Sequence, residues 1–191
     1  MPEPVSGVPT EVLTIGHSDR PLDEFLHLLR IHRATLVADV RKMPGSRANP
    51  QFNGDALRPV LRTAGIGYVH LRGLGGLRRR RPDSPNTGWQ NRSFQAYADY
   101  MLTPEFEQSL HEFLERARRE RAVLMCAEAV PWRCHRSLIA DALAVRGVGV
   151  QHILSASRAQ PHVLRPWARV QGTRITYPAP EEEAAPHRPR R

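Results

Sequence analysis

The chain has little of what disulfide scaffolds and membrane proteins are built from. It contains two cysteines and no long apolar run, and residues 1–12 have neither a basic start nor an apolar centre. So few cysteines do not make a disulfide scaffold, and they indicate a reducing compartment. A membrane span needs ~18 consecutive apolar residues, and a signal peptide needs an apolar core. We therefore expect a cytoplasmic protein with no membrane partner.

Lysine and negative charge are also scarce. The 191 residues include 28 Lys and Arg against 19 Asp and Glu, a formal net charge of +9, and Lys42 is the only lysine. An excess of positive charge favours polyanions, so nucleic acid or a nucleotide is the expected ligand. An arginine-rich surface without a polyanionic partner is the alternative. The composition identifies neither a cofactor nor an oligomeric state.

Short apolar segments alternate with amphipathic ones along the chain. Strands are predicted over residues 12–15, 35–40, 66–71, 121–125 and 148–154, with a further edge strand over 169–177. Alternation of this kind is typical of a mostly parallel sheet with helices on both faces. We therefore predict an α/β fold of the Rossmann-like three-layer type, with about five strands in the central sheet.

The two ends of the chain differ in composition from its body. We predict a flexible N-terminus over residues 1–10, one α/β domain over 11–177 and a disordered tail over 178–191. Inside the domain, Pro59 is expected to kink or split a helix. The consecutive arginines at 78–81 repel one another and predict a mobile loop.

Reactive residue types follow several of the predicted strands. The carboxyl ends of parallel strands share one edge of the sheet, and ligands of open α/β folds bind at that edge. Side chains that are far apart in the sequence are therefore expected to converge there. The residues shortly after these strands include His17 and Ser18, Asp39 and Arg41, Gly75 and Gly76, and Cys126 and Glu128.

The densest group of reactive residues lies between residues 124 and 136. An apolar strand runs into a short loop, and the following helix opens with Cys134, His135 and Arg136. Backbone N–H groups at a helix start favour an anion. Arg133 follows Cys126 one residue later than in phosphate-cradling loops built on a cysteine nucleophile. That signature is therefore not met.

The chemistry of these residues suggests their roles. Carboxylates and imidazoles transfer protons. The catalytic candidates are therefore Asp39, Glu128, His17 and His135. Guanidinium, hydroxyl, thiol and backbone amide groups bind anions. The ligand-binding candidates are therefore Ser18, Arg41, Gly75, Gly76, Cys126, Arg133 and Arg136.

Structural alternatives stand beside these roles. Glu128 is costly next to an apolar segment unless it is partnered, so an ion pair with an arginine that closes the loop is the alternative to catalysis. Asp39 and Ser18 are also suited to capping a loop or a helix. Cys126 has the more common fate of a buried structural thiol as its alternative.

A catalytic triad and a metal site can also be drawn from these residues, but the spacing supports neither. A Ser–His–Asp triad would draw on Ser18, His135 and Asp39, but no nucleophile turn is recognisable around the serine. Cys126, Cys134 and His135 are soft ligands, but their spacing matches no zinc-finger pattern and no fourth ligand is evident. We predict no metal site.

A long, ordered string of motifs resembles one known family. The matching segments are 14–18 (TIGHS), 39–41 (DVR), Pro44, Ser46, 51–52 (QF), Tyr68, 74–76 (LGG), Phe94, 97–101 (YADYM), 125–128 (MCAE) and 134–136 (CHR). On these residues the chain is similar to the domain of unknown function (DUF) 488 family of bacterial and archaeal proteins. The resemblance covers about residues 12–155. It implies an α/β fold and carries no established activity.

Three functions are compatible with this sequence. The first is an enzyme acting on a phosphate-bearing ligand, a nucleotide or nucleic acid, in a pocket at the carboxyl ends of the strands. The second is a non-catalytic nucleic-acid-binding or sensor module that uses the basic surface and the loop at 78–81. The third is a cysteine-dependent or metal enzyme built on Cys126 and Cys134.

Overall fold

Strands and helices alternate over most of the chain. The computed structural model describes residues 9–180, so most of the predicted flexible N-terminus and disordered tail lies outside the described residues. The strands are β1 (Glu11–Gly16), β2 (Leu36–Asp39), β3 (Gly67–His70), β4 (Ala122–Cys126), β5 (Gly149–Ser155), β6 (Arg158–Pro161), β7 (Arg169–Gln171) and β8 (Arg174–Thr176). The α-helices are α1 (Leu22–Ile31), α2 (Gly54–Thr63), α3 (Arg92–Tyr100), α4 (Pro104–Ala117) and α5 (Arg136–Ala144). Short 3₁₀ helices occupy Pro50–Phe52, Arg72–Leu74 and Pro131–Arg133.

A single sheet of six strands forms the centre of the protein. Its order is β3-β2-β4-β1-β5-β6, and all pairings are parallel except that of β6 with β5. This confirms the predicted α/β fold with a mostly parallel sheet. The predicted edge strand over 169–177 is wrong, because that segment folds back on itself as the separate β7–β8 hairpin. The edge is taken by β6, which returns from β5 through a tight turn.

Alternate side chains of the central strand β4 enter two separate cores. Val123 and Met125 belong to the core shared with α1 and α2, whereas Leu124 and Cys126 belong to the core shared with α3, α4 and α5. Every residue of β4 is buried, as expected for a strand covered on both faces. This alternation directs the Cys126 thiol toward α5. Within residues 9–180, no helix is long and apolar enough to cross a membrane.

Helix α2 tolerates an internal proline. Pro59 removes one backbone hydrogen bond from the second turn. The helix nevertheless continues through Pro59, so the expectation of a split is wrong. Leu57 and Leu61 are fully buried on either side of it. Their packing against the core holds both turns in one helix, because tertiary contacts supply most helix stability.

A chain of buried polar groups ties β5 to β1 and α5. His152 Nδ1 lies 2.7 Å from Thr14 Oγ1, and His152 Nε2 lies 3.0 Å from His162 Nδ1. His162 Nε2 in turn lies 2.7 Å from Asp141 Oδ1. Because an ionised carboxylate only accepts, His162 donates from Nε2 and a neutral ring accepts at Nδ1. Burial first, and then the positive charge of neighbouring groups, lowers the pKa of His152 to about 3.

This burial makes folding pH-dependent. The pKa of His152 is 6.5 in the unfolded chain and about 3 in the folded chain. Between pH 6.5 and about pH 3, the unfolded chain therefore binds a proton at His152 and the folded chain does not. The stabilisation is complete above the unfolded pKa and is lost as the pH falls, by at most ~1.4 kcal/mol per pH unit. The free energy of unfolding, measured by urea titration at each pH in this range, should change less with pH in His152→Gln than in the parent chain. The exposed His27→Gln should keep the parent slope; a parent slope in His152→Gln would contradict the prediction.

Candidate functional site

A cavity of about 740 Å³ opens at the carboxyl ends of β1, β2 and β4. Its wall is built mainly from the loops that follow these strands, and reactive residues were predicted to meet there. The predicted site residues in the wall are His17, Ser18, Arg41, Gly76, Cys126, Glu128, Arg133 and His135. Asp39, Gly75 and Arg136 do not line the cavity.

The loop after β4 is seated against the end of β1. The amide of His17 donates to Cys126 O at 2.9 Å, and the next amide along donates to Ala127 O at 2.8 Å. A side chain at Gly16 has no room, since a Cβ there would lie 1.9 Å from the carbonyl oxygen of Glu128. The parallel pairing of β1 with β4 thus continues past the strands and brings the two loops together.

Two thiols and an imidazole meet at the cavity wall. His135 Nδ1 lies 3.7 Å from Cys134 Sγ and 4.0 Å from Cys126 Sγ. Both cysteines are free and buried, with 7% of Cys126 and 4% of Cys134 exposed. His135 Nε2 lies 3.0 Å from the carbonyl oxygen of Val40, which only accepts. Nε2 therefore carries a proton, and in the neutral ring Nδ1 turns its lone pair toward the sulfurs.

The cluster separates the acidities of the two thiols. A hydrogen bond from the Cys134 thiol lowers the pKa of Cys126 well below its usual range, although burial opposes the shift. The charge of Arg136 lowers the pKa of Cys126 further, and so does His135 when its Nδ1 also carries a proton. Donating the bond, together with burial, raises the pKa of Cys134. Of the two sulfurs, Cys126 is the one favoured as a thiolate.

Asp39 is an internal counter-ion and does not reach the wall. It is fully buried, and it accepts from Arg41 Nε at 2.9 Å and from Arg41 Nη2 at 2.6 Å. The Arg41 amide and Tyr68 Oη donate to it as well, at 3.0 Å and 2.8 Å. These bonds fill the capacity of a carboxylate, so Asp39 has no acceptor left for a substrate. The predicted catalytic role of Asp39 is therefore corrected to positioning of Arg41.

His17 is held as a neutral ring beside Arg41. Its Nδ1 donates to the carbonyl oxygen of Ser18 at 2.8 Å, and its Nε2 lies 3.2 Å from Arg41 Nη1, which only donates. Burial lowers the pKa of His17, and the charge of Arg41 adds to that effect. The ring also stacks on Phe52, with centroids 4.3 Å apart. Both ring nitrogens are engaged, so His17 lines the cavity without a free nitrogen for the proton transfer that the sequence suggested.

Arg136 fastens the loop and does not face an anion. It is 1% exposed, and its guanidinium donates to the carbonyl oxygens of Glu128 and Ala129. Its expected role as an anion contact is therefore corrected. Glu128 is exposed, and its Oε1 accepts from the Val130 amide at 3.1 Å. Within residues 9–180, Glu128 forms no ion pair with an arginine, which was the structural alternative to a catalytic role.

Ser18 lies in the wall with a left-handed backbone. Its φ is 50°, a conformation that few residues other than glycine adopt. Its Oγ donates to Asp19 Oδ1 at 3.0 Å, whereas His135 faces the sulfurs and Val40. A Ser–His–Asp triad built on Ser18 and His135 is therefore not assembled.

The two candidate glycines serve different purposes. A Cβ at Gly75 would lie 2.8 Å from Lys42 Cα, so Gly75 allows two backbones to pack closely behind the cavity. A Cβ at Gly76 would lie 3.2 Å from His135 Nδ1. Gly76 therefore keeps space open beside the nitrogen that faces the sulfurs.

Several wall residues are not among the site residues predicted from the sequence. Those residues are Asp19, Lys42, Met43, Gly45, Ser46, Asn49, Leu77, Ser93, Phe94, Tyr97, Ala127 and Ala129. Cys134, which the sequence offered only for the cysteine or metal alternative, lines the cavity as well. Three of them, Ser93, Phe94 and Tyr97, lie on α3, which does not directly follow a strand of the sheet. Tyr97 is held there by donating to Leu74 O at 2.7 Å. Of these residues, Lys42 could have been predicted from the sequence, because it directly follows Arg41 at the end of a strand.

One comparison with known proteins is informative. The family model for the domain of unknown function DUF488 matches residues 21–143. The chain belongs to the DUF488 family. No curated protein and no solved structure matches it. The matched part of this DUF488 protein begins just before α1 and ends within α5, so it includes Arg41, Cys126 and His135 and leaves out His17.

The buried Asp39–Arg41 pair of this DUF488 protein predicts a large stability effect. Asp39→Asn would leave the Arg41 charge uncompensated, a loss that typically costs ~3–5 kcal/mol. Asp55→Asn is the matched control, because Asp55 is exposed in the first turn of α2 and its loss should cost less than ~1 kcal/mol. Urea unfolding measures both values. A loss in Asp39→Asn no larger than that of the control would refute the pairing.

Proposed function

We propose that this DUF488 protein is an enzyme acting on a phosphate-bearing ligand, a nucleotide or a nucleic acid strand, in the cavity at the carboxyl ends of β1, β2 and β4. One observation carries the proposal: the thiols of Cys126 and Cys134 and the ring of His135 line a cavity of about 740 Å³ whose wall also holds cations. Thiols and an imidazole grouped in a cavity are typical of a catalytic site, where they act as nucleophile and base, and not of a surface that only binds.

Two cations of the wall have no counter-ion. Within the described residues, neither Lys42 nor Arg133 forms an ion pair, and both line the cavity. The positive charge of Arg78 is the main cause that lowers the pKa of Lys42, and a bound anion would relieve this repulsion. Asp19 and Glu128 also stand in the wall, but each accepts a hydrogen bond from its own loop. The charge of the ligand is therefore expected against Lys42 and Arg133.

The size and lining of the cavity suit a nucleotide. A volume of about 740 Å³ falls within the ~300–1,000 Å³ typical of small-molecule sites. Phe94 places a partly exposed aromatic ring in the wall, and such rings stack on nucleobases. Ser46 and Asn49 add hydrogen-bonding groups on the opposite loop, after β2.

The loop at 78–81 gives weaker support to a non-catalytic binding module. Arg78 Nη2 donates to Gly73 O at 2.7 Å, and its guanidinium carbon lies 3.5 Å from the centroid of the Tyr100 ring. Arg78 is therefore anchored, contrary to the expectation of a mobile loop, and it serves the fold. The remaining arginines of the loop are exposed, and one of them supplies a matched control.

Removal of either free cation should weaken phosphate binding. Lys42→Ala and Arg133→Ala should each raise the Kd for pyrophosphate, AMP and a short single-stranded oligonucleotide about tenfold, the loss of one charge-assisted contact. Isothermal titration calorimetry measures these affinities. Arg80→Ala removes the same charge from an exposed position outside the cavity and should bind like the parent chain. Unchanged affinity in both cavity variants, or an equal loss in Arg80→Ala, would reject the cavity as the phosphate site.

Catalysis is tested apart from binding. The parent chain, incubated with nucleotides, phosphate esters and oligonucleotides, should form a product that chromatography detects. Cys126→Ser should lose this turnover and keep its affinity for the same compounds, because the side chain is nearly isosteric and Lys42 and Arg133 are unchanged. Tight binding by the parent chain without turnover of any of these compounds would contradict an enzymatic role.

A further inference from the structure

The cluster at the cavity wall has the composition of a metal site. The ligand atoms of Cys126, Cys134 and His135 all lie within 4.8 Å of one another. Thiolates and imidazole are ligands that suit Zn²⁺, whereas harder cations prefer oxygen. We propose that these residues bind one Zn²⁺ ion and leave a fourth coordination position open to the cavity.

The distances in the cluster are close to those of a formed site. Bonds of ~2.3 Å to sulfur and ~2.0 Å to nitrogen place S and N about 3.5 Å apart around a tetrahedral zinc ion. The two separations from His135 Nδ1 are 3.7 Å, to Cys134 Sγ, and 4.0 Å, to Cys126 Sγ. Shifts of a few tenths of an ångström therefore bring His135 Nδ1 to the zinc-bound separation from both sulfurs. The two sulfurs lie within 4.8 Å of each other and reach their zinc-bound separation of about 3.8 Å by moving about 1 Å at most.

The orientation of His135 is set before any ion arrives. Its Nε2 donates to the carbonyl oxygen of Val40 at 3.0 Å, which leaves Nδ1 as the nitrogen with a lone pair. Zinc-bound histidines almost always donate their second nitrogen to such a partner, and this bond fixes both the tautomer and the ring plane. The side chain therefore presents a prepared ligand atom to the two sulfurs.

Charge and burial agree with a zinc ion at this place. Binding displaces the thiol protons, so two thiolates and a neutral imidazole balance the charge of the ion. Cys126 is 7% and Cys134 is 4% exposed, and a site without net charge is the kind that such a buried position tolerates.

The number of ligands points to a reactive site. Among the described residues, the cluster offers three ligand atoms and no fourth. Structural zinc sites use four protein ligands, whereas catalytic ones use three and keep a position for water or substrate. All three side chains line the cavity, so the open position faces the bound ligand. Water fits it, and the metal site itself does not depend on which ligand the cavity takes.

Metal content tests the proposal directly. The full chain, purified after growth with added zinc and dialysed against metal-free buffer, should retain about one Zn²⁺ per chain by inductively coupled plasma mass spectrometry. Exchange with Co²⁺ should give thiolate-to-cobalt charge-transfer absorption and the intense visible bands of a tetrahedral centre. Zinc held by surface histidines would not give the charge-transfer absorption.

Variants locate the ion. Cys134→Ser and His135→Gln should each weaken zinc binding, measured by competition with a chromophoric chelator, by more than the ~10- to 100-fold that loss of an outer partner costs. His111→Gln removes an imidazole that is 71% exposed and should bind zinc like the parent chain. Circular dichroism of the metal-free variants distinguishes lost ligation from lost folding.

Several outcomes would overturn the metal site. They are a parent chain that retains well below one zinc ion, a cobalt form without charge transfer, or alkylation of the two thiols at a rate that added zinc does not slow. If the chain binds zinc but not pyrophosphate, the metal site is supported and the phosphate-bearing ligand is rejected. If the chain binds pyrophosphate but no zinc, the phosphate-bearing ligand is supported and the metal site is rejected.

Discussion

The site depends on a backbone contact that leaves no room for a side chain. Gly16 ends β1 and faces the loop after β4, where a Cβ would lie 1.9 Å from the carbonyl oxygen of Glu128. The parallel register pairs Gly16 with Cys126, so this contact sets the height at which the loop leaves the sheet. The same loop carries Cys134 and His135 back toward the end of β4. The thiols and the imidazole therefore meet because two neighbouring strands end together.

Buried charges hold the wall in place, and of these only Arg41 lies in the wall itself. Asp39 neutralises Arg41, and Arg41 in turn donates to His17 Nε2 and to the carbonyl oxygen of Phe52. Arg136 donates from its two terminal nitrogens to the carbonyl oxygens of Glu128 and Ala129 in the loop after β4. Buried charges of this kind persist only when they are paired or hydrogen-bonded. Their role here is positional, and the groups left to meet a ligand are the thiols, the imidazole and the free cations of the wall.

The sequence located the edge of the sheet better than it assigned roles there. Polar residues after apolar strands placed His17, Arg41 and Cys126 at one cavity, because the carboxyl ends of parallel strands share an edge. The same reasoning did not separate wall residues from internal ones such as Asp39 and Arg136. Strand periodicity shows that alternate residues face opposite sides, but it does not show which side holds the cavity. The segment 169–177 was misassigned for a related reason, since a short β-like pattern does not reveal its pairing partner.

The amino-acid sequence by itself determined the alternation of strands and helices, the DUF488 membership and the set of reactive residues at the strand ends. These follow from periodicity, composition and motif order, which are properties of the chain read in one direction. Only the tertiary structure decided that Arg136 turns inward, that β6 completes the sheet, and that Cys126 and Cys134 converge on His135 Nδ1. The reason is that such contacts depend on strand register and on how each loop packs over the sheet, and no local pattern contains that information.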